Sequence, residues 1–165
     1  MPLARRRRED FAMPIVWPSR YETAKVAAHV SNEIAIEAAP GLVWTNLVRA
    51  EEWPTWYPNS SDVRIDGGES SLAPGATFTW RTFGVRVRCT VQEFVPHERI
   101  AWSGTGLLID IYHAWLITPR EGGCHVLTEE NQNGLAARAQ AIFMPRRMFN
   151  GHQLWLERLK SRSES

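Results

Sequence analysis

Cysteine is scarce: Cys89 and Cys124 are the only two in 165 residues, too few for a disulfide framework and without metal-ligand spacing. Both read as small buried hydrophobes. Excess charge is equally slight. The formal net charge is +1, and Arg5 to Arg8 set against Glu9 and Asp10 place +2 in the first twelve residues, leaving −1 elsewhere. A nucleic-acid-binding face gains affinity by releasing counterions and needs cations on the folded part of the chain, so no nucleic-acid partner is expected. No segment approaches the roughly 20 consecutive apolar residues that cross a bilayer, which argues against a membrane span. The arginine run leads into "EDFAMPIVWPS", where acids and prolines interrupt any secretory leader, so the expected location is cytoplasmic. Met13 is an alternative start to Met1. Repeats and low-complexity tracts are missing too, and His29, His97 and His125 have no ligand spacing, so no metal is expected.

Tryptophan is what the chain has in abundance. Eight Trp outnumber six Phe and three Tyr, whereas a dry core draws mainly on Leu, Ile and Val. Each indole is bulky and carries an N–H that wants a partner, so the excess suits pocket walls as well as core packing. Hydrophobic residues at 44% and charged ones at 22% are the balance of a globular protein, and the length fits one domain. The expected organisation is a flexible N-terminal arm over 1–25, a single domain over 26–160 and a disordered tail over 161–165.

"VAAHVSNEIAIEAAP" alternates around Ile34 and Ile36 as a strand that ends before Pro40. "GLVWTNLVRAEEW" then has helical spacing, and "EEWPTWYPN" reads as a short broken helix stopped by prolines. From 61 to 131 short alternating segments are parted by turn residues, as in an antiparallel meander. Beyond Gly134 a long amphipathic helix kinked near Pro145 is expected, with Met148, His152 and Trp155 along one side. The order β, α, α, six β, long α predicts an α+β fold. Seven antiparallel strands curl, and the last helix lies across the concave face.

The chain resembles the polyketide cyclase/dehydrase branch of the START, or Bet v 1-like (SRPBCC), superfamily, whose fold is called helix-grip. The resemblance covers roughly residues 28 to 160. It rests on "APGLVWTNLVRAEEWPTWYPN", "FTWRTFGVRVRCTVQEFVPHERIAWSG", "YHAWLITPREGGCHVLTEENQNG" and the helix containing "MPRRMFNGHQLWLERLK". It implies an apolar cavity between sheet and C-terminal helix that takes a lipid- or polyketide-like hydrophobic small molecule, with no required cofactor. Fold alone does not separate carriers from cyclases. Relatives often carry His-x-Phe in the penultimate strand and a Glu ahead of Phe and Gly in the last. Here the first pattern is His113 and Trp115, the second Glu130 and Gly134, with Gln132 where an aromatic is common.

Register leads to the same pair. If Glu121 and Gly122 form a two-residue loop, His113 lies opposite Glu130 and Trp115 opposite Thr128; a three-residue loop would set His113 against Asn131. By parity Ile109, Ile111, His113, Trp115 and Ile117 face inward, as do Val126, Thr128, Glu130 and Gln132. Val85, Val87, Cys89 and Val91 join them, with Phe78, Trp80, Ile100 and Trp102, whereas Asp110 and Tyr112 point outward. His113 and Glu130 are the candidate acid–base pair of a cofactor-independent cyclase, dehydrase or aromatase; anchoring a ligand and mutual structural satisfaction are equally open. Trp44, Trp53, Trp56 and Tyr57, where the short helices meet the sheet, are open between packing and ligand contact. The same holds for Met148, His152 and Trp155 on the last helix.

Overall fold

The computed structural model describes residues 14–165; the arginine run and both candidate start methionines lie outside the described residues. Strand β1 (Ala28–Ile36) is followed by helix α1 (Pro40–Val48), a 3-10 helix over Ala50–Thr55, and β2 (Ser61–Ile65). Then come β3 (Thr77–Thr82), β4 (Val85–Val95), β5 (Arg99–Gly106), β6 (Ile109–Arg120) and β7 (Gly123–Asn133). Helices α2 (Leu135–Phe143) and α3 (Arg147–Ser163) end the chain. The seven strands form one sheet in the order β1-β7-β6-β5-β4-β3-β2, antiparallel at every pairing. This is the expected helix-grip arrangement.

Local chemistry accounts for the elements. Pro40 opens α1, where its missing N–H costs nothing, and Val43, Trp44, Leu47 and Val48 are the buried stripe that holds the helix down. In β4 the alternation works as expected. Val87, Cys89 and Val91 are buried, while Arg86, Arg88 and Gln92 stand in water. A bulge between Val91 and Glu93 shifts that register, so that Phe94 returns to the core and pairs with Ile100. Phe83 and Gly84, at φ 48° and 76°, turn β3 into β4; two successive left-handed residues match the twist of a hairpin. The β6–β7 hairpin turns at Glu121 and Gly122, so His113 faces Glu130 and Trp115 faces Thr128 as the two-residue loop requires.

Three expectations need correction. The single kinked helix is two helices, because Pro145 has no N–H to continue the ladder and the chain breaks between Phe143 and Arg147. No tail begins at 161. Helix α3 runs to Ser163, whose buried hydroxyl accepts from Asn46 Nδ2 at 3.0 Å, and Glu164 accepts from the Glu37 N–H at 2.7 Å. Nor are residues 14–25 a free arm: they lie across the outer face of the sheet. Trp17 and Tyr21 pack on the Tyr112 ring with centroids 5.8 and 5.3 Å away. Tyr21 donates to Asp110 Oδ1 at 2.6 Å, and Arg20 pairs with the same carboxylate. Asp110 and Tyr112 thus point outward yet are buried, because a segment expected to be flexible carries two large aromatics that cover them.

Candidate functional site

Aromatic rings fill much of the concave face. Trp155 of α3 stacks on Tyr57 at 4.6 Å and 9°, and its centroid lies 5.0 Å from Trp53 and 4.9 Å from Trp115. Trp53 in turn meets Phe78, Trp80 and Trp102 edge-on or tilted. Trp53 donates its indole N–H to the Leu47 carbonyl at 2.9 Å. The indole N–H groups of Trp102, Trp115 and Trp155 are buried without a hydrogen-bond partner among the described residues. Ring contacts, rather than hydrogen bonds, hold these three indoles.

A cavity of about 290 Å³ survives at the α2 end of this interior. Trp80, Val85, Val87, Ile109 and Ile111 form its sheet wall. Ala136, Ala139, Phe143 and Met144 of α2 and its C-terminal end close the other side, with Trp155 and His152 below. Glu130 and Gln132 supply the polar end, and Phe83 and Arg147 stand at the rim. Of the expected ligand contacts, Trp80, Val87, Ile111, Gln132, His152 and Trp155 line this space, as does Glu130. Trp53, Tyr57, Phe78, Cys89, Trp102 and Trp115 do not; they are consumed by the ring cluster or packed directly beneath it. Thr128 and His113 sit behind the wall, fully buried. Trp44 packs on Phe94 and His97 at the opposite end, Trp56 borders a shallow surface groove, and Met148 lies under an outer groove beside β1. The contribution of α2 went unread because its apolar residues have no cue separating a cavity wall from an ordinary buried stripe.

At the polar end of the cavity Glu130 and His152, which line it, meet the buried His113. His113 Nδ1 lies 3.0 Å, and His152 Nε2 3.2 Å, from the same Oε2 of Glu130. Gln132 Nε2 donates to the other oxygen, Oε1. His113 Nε2 is 2.7 Å from Thr128 Oγ1, whose hydroxyl donates to the Ala114 carbonyl at 3.2 Å. Burial drives the His113 imidazolium out, lowering its pKa to about 3 against the pull of Glu130. Burial alone would raise Glu130, but the neighbouring imidazoles and the Gln132 amide outweigh it and the carboxyl is lowered. At neutral pH the arrangement is therefore a buried carboxylate beside a neutral His113. Strand pairing made the His113–Glu130 contact legible in advance. The arrival of His152 was not, since it depends on how α3 crosses the sheet.

Such a site can hold one polar atom of an otherwise apolar guest, move a proton, or bind a cation. Residues 27–164 match the family described as polyketide cyclase / dehydrase and lipid transport. No curated protein matches the chain significantly. Among solved structures, the Helicobacter pylori protein jhp0584 is 31% identical, with 92% of this chain and 96% of that one covered and a TM-score of 0.85. The Zhui aromatase/cyclase from Streptomyces shares the fold at 13% identity, covering 83% and 93% with a TM-score of 0.70. TTHA0849 from Thermus thermophilus does so at 16%, covering 82% and 97% with a TM-score of 0.67. The family match over nearly the whole described chain, on a fold shared with an aromatase/cyclase, identifies the protein as a member of the polyketide cyclase / dehydrase and lipid transport family.

Proposed function

We propose that the protein binds a hydrophobic small molecule, lipid- or polyketide-like, in the cavity between sheet, α2 and α3. The supporting observation is the shape of that space: about 290 Å³ walled by apolar side chains and closed at one end by Glu130 and Gln132. Ligand sites are commonly apolar with a few convergent polar groups that fix orientation. The volume suits a compact guest, such as a fused-ring skeleton or a short acyl chain, with a single hydroxyl or carbonyl directed at Glu130 and Gln132. Trp80 and Trp155 border the cavity, so a bound guest should change their fluorescence. Titration with such compounds, together with native mass spectrometry of protein from its source, is expected to reveal a retained apolar mass. Ile111→Trp, which fills the cavity, should abolish binding. If the wild type binds no apolar probe, or Ile111→Trp binds it equally well, the reading fails.

A second reading, a cofactor-independent cyclase or dehydrase, is favoured by the two imidazoles that share one oxygen of Glu130. In that case the Glu130 carboxylate removes a proton from an acidic C–H and passes it, through the His152 imidazole at the cavity wall, to the departing hydroxyl, which leaves as water. Glu130→Gln should then eliminate turnover of a polyketide-like substrate while leaving its affinity within a few-fold. Full turnover in that variant would exclude it.

A further inference from the structure

His113, Glu130 and His152 come from β6, β7 and α3, are all buried, and each offers one ligand atom within 4.8 Å of the others. Donor atoms bound at about 2.0–2.2 Å around one tetrahedral ion lie roughly 3.3–3.6 Å apart. The separations of 3.0 and 3.2 Å from Glu130 need slight expansion to admit one, and the two imidazole nitrogens lie within 4.8 Å of each other, near enough to close on the same ion. When the Thr128 hydroxyl donates to the Ala114 carbonyl at 3.2 Å, it accepts from His113 Nε2–H at 2.7 Å. In that tautomer the Nδ1 lone pair faces a carboxylate oxygen. Nδ1 has no hydrogen-bond partner among the described residues, and the two lone-pair atoms that face each other in this tautomer are an arrangement a bound cation relieves.

The surroundings are also those of a built metal site. A histidine ligand usually donates its second ring N–H to a fixed acceptor, and a ligating carboxylate is itself hydrogen-bonded. Thr128 serves His113 in this way, and Gln132 serves Glu130 through Oε1. Glu130 and His152 border the cavity, which provides an entry path and an open coordination position. We infer that His113, Glu130 and His152 bind a divalent first-row transition metal, Zn²⁺ fitting best, whose open position takes an oxygen atom of the hydrophobic guest. The guest part rests on the proposed cavity function; the metal part stands without it. With the metal bound, Glu130 is a ligand and is no longer free to act as a base.

The test uses the whole protein, stripped with a chelator and then dialysed against Zn²⁺ or Co²⁺. Elemental analysis is expected to find one equivalent of metal, and the Co²⁺ form to show the visible absorption of a four-coordinate ion. Thr128→Val, which deletes only the supporting hydroxyl, should weaken Zn²⁺ binding about 10–100-fold. Glu130→Gln and His152→Gln should abolish stoichiometric uptake with the circular dichroism spectrum unchanged. Only traces of either metal on the wild type, or equal uptake by the wild type and all three variants, overturns the inference. Anilinonaphthalene sulfonate binding on the same samples tests the cavity separately. Probe binding without metal uptake overturns the metal site alone, and metal uptake without probe binding overturns the cavity function alone.

Discussion

Trp155 links the ring cluster to the cavity: it stacks on Tyr57, meets Trp53, Trp102 and Trp115, and borders the empty space. Trp155→Ala removes those contacts and leaves a void the neighbouring indoles cannot fill, so it should cost about 3–5 kcal/mol in urea unfolding. The enlarged cavity should also admit bulkier apolar probes. Cys89 makes a different prediction. Burial pushes its thiol from 9.0 up to about 12, so the folded protein holds this proton more tightly than the unfolded chain. Its contribution is complete below the unfolded value and is lost as pH rises through the folded one. Stability should therefore decline between about pH 9 and 12, and Cys89→Ala should flatten the decline when unfolding is followed across that range.

Among the elements, α2 stands apart. Of its nine residues only Ala137 is buried, while Ile142 and Phe143 are 71% and 78% exposed. Phe143→Ser should weaken binding of an apolar probe yet change stability by no more than about 0.5 kcal/mol, a split that titration and thermal unfolding can read. Gly134, which joins β7 to α2, has φ 105°, and a Cβ there would run into the Leu108 carbonyl. Gly134→Ala should cost more than about 1 kcal/mol in the same unfolding measurement. The strands were legible because alternation and turn residues act over a few positions, and the Glu121–Gly122 turn then fixed which residue faces His113. Neither the bulge at Val91 nor the landing point of His152 was legible. The first depends on the partner strand, the second on the crossing of α3, and neither leaves a trace in local spacing. The indole excess was ambiguous for a related reason. Wall and core positions demand the same residue type, and Trp53, Trp102 and Trp115 went to the core whereas Trp80 and Trp155 serve both.

At the scale of the molecule the sheet is covered on both sides over β6. Helix α3 lies on the concave face, and residues 14–25 lie on the outer one, anchored by Tyr21 on Asp110 and by Asn131 Nδ2, which donates to the Tyr21 carbonyl at 2.7 Å. Tyr21→Phe should cost about 1 kcal/mol, whereas removal of all residues before 26 should cost far more by exposing Tyr112, Ala101 and Ala114. Thermal unfolding of the two forms separates a lost hydrogen bond from a lost cover. The cavity, by contrast, is bordered on its α2 side by four residues, Ala136, Ala139, Gln140 and Phe143, of a nine-residue helix that breaks no strand pairing if it lifts. Amide protons should accordingly exchange with deuterium fastest along that helix and slowest in the middle of β6. A guest can be exchanged by a small local excursion while the rest of the protein stays shut.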